Sequence, residues 1–345
     1  MSVSSTVRIG VIGTGRWGPN LVRCLRDASG VEVAVICDAD PGRLGQLGRR
    51  YPAVPTCTDV AVVLGDPAID AVMIATPADT HQPLAHAALL ADKHVFVEKP
   101  IATDVAGARR LVETAEQRGR ILMSGHVFLY NPAVRELRER SGRSEFGGLR
   151  YMYSRRTNLG PVRGDVHAGW DLAAHDVSIF LYLKGESPRE VTASAQSFIR
   201  AEVPDVVFAT LYFADGTVAH LHTSWLDPQK VRQVILVGSA QMLVFDDMNL
   251  LEPLRIYHKG WRREEASAGE VVDSFGGFHV VLIQGDVVIP SLSTGEPLRL
   301  ECEAFLEAIR SGRQPLSDGP FGLEVVRVLE AIDRSIAADS RRVAV

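Results

Sequence analysis

Apolar and polar positions change rhythm along this chain. Through residues 7–125, short and almost wholly apolar runs alternate with stretches of helical period. Val7-Arg8-Ile9-Gly10-Val11-Ile12 reads as a strand, followed by a glycine turn and a helix to about Ala28. Residues 31–36 form a second strand, and Asp40-Pro41 then opens a helix, with Asp40 as N-cap and Pro41 at the first helical position. Residues 71–75, 94–97 and 121–124 read as further strands, each preceded by a helical stretch. Apolar strands alternating with helices predict a parallel sheet covered on both faces.

After Gly125 the pattern shifts. Residues 131–141 and 171–183 are helical in period, and from about Arg189 to Leu254 longer runs alternate in period two between turns such as Ala214-Asp215-Gly216. Along residues 217–225, Ala219, Leu221 and Trp225 fall on one face and His220 and His222 on the other. This predicts an antiparallel sheet with one face less buried. Residues 299–310 and 322–337 return to helical period, and the small polar stretch 264–270 reads as a loop. The fold expected is α/β: a dinucleotide-binding domain over residues 1–124, then an α/β domain with a large, mostly antiparallel sheet over 125–345.

Charge and cysteine usage narrow the function classes. With 37 Lys plus Arg against 42 Asp plus Glu, the net charge of −5 argues against a partner bound through phosphate neutralisation, so no nucleic acid is expected. No apolar run has the length of a membrane span, and Met1-Ser2-Val3-Ser4-Ser5-Thr6 lacks a basic leader, so neither a membrane nor a signal peptide is expected. Cys24, Cys37, Cys57 and Cys302 are scattered without metal or disulfide spacing, which fits a reduced cytoplasmic setting and no metal.

Gly13-Thr14-Gly15-Arg16-Trp17-Gly18 is a G-x-G-x-x-G between a strand and a helix. The first glycine permits the tight turn, the second the approach of a pyrophosphate, and the third close helix–strand packing. The helix N-terminus adds unpaired N–H groups for the anion. Asp38 lies 20 residues beyond Gly18, at the end of the second strand, where a carboxylate accepts from both ribose hydroxyls and repels a 2′-phosphate. That favours NAD over NADP. Arg43 is close enough to meet a phosphate, though it also reads as an exposed helix residue.

Four elements then occur in order: this loop, the strand end Ala75-Thr76-Pro77 with Thr80-His81, the tripeptide Glu98-Lys99-Pro100, and Asp171-Leu172-Ala173-Ala174-His175-Asp176. Together they resemble the Gfo/Idh/MocA oxidoreductases over essentially the whole chain. The resemblance implies a Rossmann domain followed by a sheet-based α/β domain, oxidation or reduction of a secondary alcohol on a sugar or cyclitol, and an NAD(P) cofactor. It implies a catalytic Lys99 with Asp171 and His175, and a dinucleotide held by the glycine loop, Asp38, Arg43, Thr76, Pro77, His81, Glu98 and Lys99. The peptide before Pro100 is often cis in such proteins.

The chemistry is consistent with those residue types. Oxidising an alcohol requires a base for the hydroxyl proton, and an imidazole such as His175 titrates near neutrality. Asp171, four residues earlier, shares its helix face. Lys99 can hold the oxygen and stabilise alkoxide character, and either it or His175 can serve as the formal base. Asp176 reads as a structural pairing residue, and His220 and His222 as packing or subunit contacts. Tyr130, Asn131, Arg155, Arg156, Asn158 and Trp170 are similar to the substrate-binding positions of the nucleotide-sugar 3-dehydrogenase branch, whose substrates include UDP-N-acetylglucosaminuronate; arginines there suit an anionic sugar nucleotide. Inositol or aminocyclitol dehydrogenases, sugar ketoreductases of antibiotic pathways, and a non-catalytic dinucleotide sensor are the alternatives. The apolar face of the second domain's sheet suggests a homodimer or homotetramer.

Overall fold

The computed structural model describes residues 6–164, 166–264 and 279–345, and in it the first apolar runs become six strands. These are β1 (Val7–Ile12), β2 (Val31–Cys37), β3 (Thr56–Cys57), β4 (Ala71–Ile74), β5 (His94–Glu98) and β6 (Leu122–Gly125). Helices α1 (Gly18–Arg26), α2 (Pro41–Arg50), α3 (Val60–Gly65), α4 (Ala78–Leu90) and α5 (Val105–Arg118) connect them. Every pairing is parallel, in the order β3-β2-β1-β4-β5-β6. Consecutive strand residues such as Val72, Met73, Val95 and Phe96 have no exposed surface, as covering both faces demands. Asp40 caps α2, its Oδ1 accepting from the Gly42 and Arg43 N–H groups at 2.8 and 3.3 Å. The order of strands reverses between β1 and β4, which opens a crevice at their carboxyl ends.

Two compact units divide the chain. The first comprises Met1–Asn131, Arg163–Trp170 and Gly295–Glu330; the second comprises Pro132–Val162, Asp171–Thr294 and Ala331–Val345. The division is interleaved, because the helix Pro297–Ser311 returns to the first unit with an apolar stripe of Leu298, Cys302, Phe305 and Leu306. Phe305 meets Phe96 of β5 edge to face at 5.9 Å.

In the second unit, α6 (Pro132–Ser141) precedes β7 (Leu149–Leu159), and a single π-helical turn (Gly169–Ala173) runs into α7 (Ala174–Lys184). The strands β8 (Glu190–Gln196), β9 (Val206–Tyr212), β10 (Val218–Ser224), β11 (Leu226–Gly238), β12 (Met242–Asp246) and β13 (Leu254–Tyr257) follow. A separate pair, β14 (Gly260–Glu264) and β15 (His279–Ile283), precedes β16 (Val287–Val288). The helix Pro297–Ser311 is α8, and α9 (Gly319–Ala337) and β17 (Val343–Ala344) end the described chain. Nine strands form one sheet in the order β16-β13-β12-β11-β7-β10-β9-β8-β17. Its neighbours are antiparallel except β7 and β10, which run parallel. Of the polar stretch 264–270, Glu264 ends β14, and residues 265–270 lie outside the described residues.

Alternation along β10 places Ala219 and Leu221 inside, with His220 and His222 on the opposite face. There His222 stacks on Phe208 at 4.5 Å, and His220 Nδ1 lies 3.0 Å from the Thr210 hydroxyl. Tyr151, Tyr153 and Phe208 leave that face apolar and exposed. The covered face holds a buried ion pair: Arg156 Nε and Nη2 donate to Asp176 Oδ1 at 3.0 and 2.9 Å, with side-chain exposures of 2% and 0%. Burial pushes the Asp176 carboxyl up while the guanidinium beside it pulls the other way. Removing one partner strands the other charge away from water. Arg156→Met is therefore expected to cost about 3–5 kcal/mol, and Arg156→Met with Asp176→Leu far less, read as the drop in thermal unfolding midpoint.

Candidate active site

The glycine loop is shaped by two close approaches and one open position. Gly13 has φ +93°, and a Cβ on it would fall 2.7 Å from the Ala75 carbonyl, so the β1 and β4 strand ends touch there. A Cβ on Gly18 would lie 1.9 Å from the Gly13 carbonyl oxygen, so α1 begins pressed against the turn. At Gly15 the nearest atom to such a carbon is Arg43 Nη1 at 4.0 Å, which leaves open space beside the loop. No side chain caps the first turn of α1. A turn of this shape, with unpaired N–H groups and room in front of them, fits a dinucleotide pyrophosphate.

Asp38 is tied to the same loop. Its Oδ2 accepts from the Thr14 N–H at 2.6 Å and the Thr14 hydroxyl at 2.7 Å, and its Oδ1 from the Asp40 N–H at 2.9 Å. Burial works to raise this carboxyl, but those donors and the Arg43 charge hold it below its ordinary range, so it stays an anion. Arg43 pairs with Asp40 at 3.5 Å and is exposed. Arg16 is exposed and Trp17 half-buried, both on the loop.

The ends of β4 and β5 are held together by His81. Its Nδ1 lies 2.7 Å from the Pro100 carbonyl and its Nε2 2.9 Å from the Thr76 carbonyl. Burial pushes this imidazole down in pKa, against the pull of the two carbonyls, with Arg163 and Lys99 adding to the fall. The lowered pKa leaves the ring neutral with one N–H, which donates to one of the two carbonyls. Thr76 is half-buried and Pro77 exposed at the strand end; Thr76 meets the Thr80 hydroxyl at 2.7 Å. Lys99 is half-buried, and the Lys99–Pro100 peptide is cis. Glu98 is turned inward with 9% exposure, and burial pushes its carboxyl up to about 7 despite the opposing pull of Lys99. His126, just beyond β6, is buried and pushed down to about 3 by desolvation and by Lys99.

In the second unit, Asp171 lies in the π-helical turn and His175 in the first turn of α7, both half-buried. The expected uniform α-helix is thus widened at Asp171, a local change that recurs at functional positions. Asp171 Oδ2 accepts the Trp225 indole N–H at 3.2 Å. Arg155 pairs with Asp227 at 2.9 Å while remaining partly exposed. Two expected substrate contacts are corrected: Arg156 is consumed inside the sheet by Asp176, and Tyr130 in the first unit is 1% exposed, 3.1 Å from Ser317 Oγ. Asn158 donates to the Gly160 carbonyl, Asn131 is half-buried, and Trp170 is 6% exposed.

Residues 7–126 match the profile of the Gfo/Idh/MocA oxidoreductase family's NAD-binding Rossmann fold, and residues 134–244 match its C-terminal domain. The chain belongs to the Gfo/Idh/MocA family. Like its relatives it carries an NAD-binding Rossmann unit. It is 29% identical to UDP-N-acetylglucosamine 3-dehydrogenase of Acidithiobacillus ferrooxidans over 93% of this chain and 94% of that one. The crystal structure of that enzyme superposes with a TM-score of 0.79, at 26% identity, over 97% of this chain and 99% of that chain. A candidate oxidoreductase from Magnetospirillum magnetotacticum MS-1 shares 30% identity at a TM-score of 0.78, over 95% of this chain and 99% of that one. The NAD(+)-dependent scyllo-inositol 2-dehydrogenase of Bacillus subtilis is 26% identical over 92% of both chains.

Among the described residues, no group of three or more His, Cys, Asp or Glu is arranged to hold a metal, and no helix is long and apolar enough to cross a membrane. The sequence reading overlooked Glu301 on α8. Its signal was spacing: Leu298, Glu301, Cys302 and Phe305 follow i, i+3, i+4, i+7, which sets a carboxyl on an apolar stripe. For the loop, Gly18→Ala must displace backbone, because the atom it meets is the Gly13 carbonyl. The expected outcome is at least a tenfold loss of NAD affinity by calorimetry, about 1.4 kcal/mol or more, with the second unit's fold intact.

Proposed function

We propose that this protein is an NAD-dependent dehydrogenase that transfers a hydride between a ring secondary alcohol of a sugar or nucleotide sugar and nicotinamide. The observation that carries this reading is the position of Lys99 directly after β5, on the sheet edge that also bears the glycine loop and the anionic Asp38. When bound, NAD supplies the hydride acceptor. The protein's own residues then handle the proton and the oxygen. Lys99 holds the substrate oxygen and stabilises negative charge on it as the hydride leaves carbon. His175 accepts the hydroxyl proton, and Asp171, fixed by the Trp225 N–H, orients that exchange. Asp38 selects NAD, since a carboxylate held ionised by its neighbours repels a 2′-phosphate.

The similarity to a UDP-N-acetylglucosamine 3-dehydrogenase over nearly the whole chain favours a UDP-linked N-acetyl sugar or its uronate as substrate. The comparable coverage of an inositol dehydrogenase supports free cyclitols as the second reading. The purified protein, given NAD, is expected to reduce it with one member of a panel of UDP-N-acetyl sugars, their uronates and inositols. Lys99→Ala and His175→Ala should each lower kcat at least a hundredfold, as expected for loss of acid–base or oxyanion help. Asp38→Ala should narrow the preference for NAD over NADP. Unchanged turnover in both Lys99→Ala and His175→Ala would refute the assignment.

This reading includes a homodimer or homotetramer built on the exposed face of Tyr151, Tyr153 and Phe208. Light scattering at micromolar concentration should give a multiple of the chain mass, and a monomer would refuse it.

A further inference from the structure

Scattered along the sequence, the four cysteines meet as two pairs in the first unit. Cys24 on α1 and Cys302 on α8 are hydrogen-bonded to each other, and neither has any exposed surface. Cys37 and Cys57 are differently placed. They end β2 and β3, and they are register partners at the edge of the parallel sheet. Partners on adjacent strands stand about 4.8 Å apart and send their side chains to one face. That spacing lies within the Cα range a disulfide bridges, although its two Cβ atoms must come to about 3.8 Å, roughly 1 Å closer than the strands. Cys37 is fully buried, whereas Cys57 on the edge strand keeps part of its surface open, its thiol donating to the Asp59 carbonyl at 3.6 Å.

The backbone of both cysteines holds the dinucleotide end of the sheet. The Gly13 N–H donates to the Cys37 carbonyl at 2.8 Å, and the Asp38 N–H to the Cys57 carbonyl at 3.2 Å. Asp38, next after Cys37, in turn takes the Thr14 N–H and hydroxyl at 2.6 and 2.7 Å. Moving one strand end by about 1 Å takes bonds of that length beyond hydrogen-bonding range.

We propose that Cys37 and Cys57 are a peroxide-sensitive thiol pair whose disulfide draws the ends of β2 and β3 together and weakens dinucleotide binding at Asp38. This rests on reading Asp38 as the residue that meets the adenosine ribose. The oxidant is hydrogen peroxide. The accessible Cys57 sulfur attacks it and the O–O bond breaks; one oxygen stays on sulfur as a sulfenic acid, and the other leaves as water with the thiol proton. The Cys37 sulfur then attacks the Cys57 sulfur, an S–S bond replaces the S–O bond, and a second water carries off the Cys37 proton. The two thiols lose two electrons and one peroxide gains them. Burial pushes the Cys37 thiol up to about 12, with the charge of Cys57 and a hydrogen bond to it adding to the rise. Cys37 therefore stays a thiol until its neighbour is oxidised, and the sulfenic acid removes the opposing charge.

The test treats the purified full-length protein with hydrogen peroxide, alkylates the remaining thiols under denaturing conditions and maps the peptides by mass. One pair of peptides joined through Cys37 and Cys57 is expected, with Cys24 and Cys302 alkylated. By calorimetry, the oxidised protein should bind NAD about fivefold more weakly than the reduced one, the scale of one loosened hydrogen bond, and dithiothreitol should restore it. Cys57→Ser should bind NAD as reduced wild type does, before and after peroxide. By reciprocity, saturating NAD should disfavour the disulfide by the same factor in a dithiothreitol redox buffer. Cys57 oxidised without joining Cys37, or both thiols left free in excess peroxide, would overturn the pair. A mapped disulfide with unaltered NAD affinity would overturn the coupling. Undiminished NAD binding by Asp38→Ala would instead sink the ribose reading, and the peptide map would still decide the thiol pair.

Discussion

The first unit depends on the space that Gly18 leaves empty. Because no side chain stands between the start of α1 and the Gly13 carbonyl, helix and turn close on each other, and α1 presents its first N–H groups at the mouth of the sheet. Asp38 can then reach back and take two bonds from Thr14, so the loop and the second strand end become one rigid piece. Across the reversal in strand order, His81 does the same for β4 and β5 by holding the carbonyls of Thr76 and Pro100. The strand ends are thereby fixed by hydrogen bonds to backbone, and Lys99 follows from a rigid edge rather than from a loose loop. A site built this way loses little ordering entropy when a dinucleotide enters it.

The two units bury charge in different ways. In the sheet of the second unit, Arg156 and Asp176 neutralise one another through two short bonds, a pairing that specifies which face of β7 turns inward. In the first unit, Glu301 is buried with neither carboxyl oxygen hydrogen-bonded among the described residues and is raised well above its ordinary range, while Lys99 draws the buried Glu98 carboxyl down against its burial. A paired charge is stable but inert. A carboxyl kept neutral by its surroundings can still respond to pH, and such responsiveness tends to collect at functional positions.

Much of the first unit was legible in the sequence, since strands apolar on both faces have few other solutions and Asp40-Pro41 announces its helix by a known capping geometry. The strand Thr56–Cys57 was not, because two residues at a sheet edge show no period. In the second unit, alternation along β10 gave the inner face, but nothing in a strand's own residues names its partner, so the parallel pairing of β7 with β10 came only with the structure. Arg155 and Arg156 illustrate the same limit. Both are arginines in a strand, and the buried one is distinguished by Asp176, 20 residues away. Tyr130 was misjudged for a similar reason: its hydroxyl is satisfied by Ser317, far off along the chain.

The return of residues 295–330 to the first unit has a consequence for how the chain is made. Synthesis delivers β1 to β6 early, yet the surface of β5 that carries Phe96 stays uncovered until α8 emerges, after eight strands of the nine-stranded sheet have been translated. The same segment anchors the other side through Arg23 with Glu296, and through Arg310 donating to the carbonyls of Ser29 and Gly30. Contacts so distant in sequence slow folding and lengthen the period in which apolar surface is open to other chains. The nucleotide-binding half is thus the first begun and among the last completed, and a nascent chain stalled short of α8 would be a client for chaperones rather than a small independent binder of NAD.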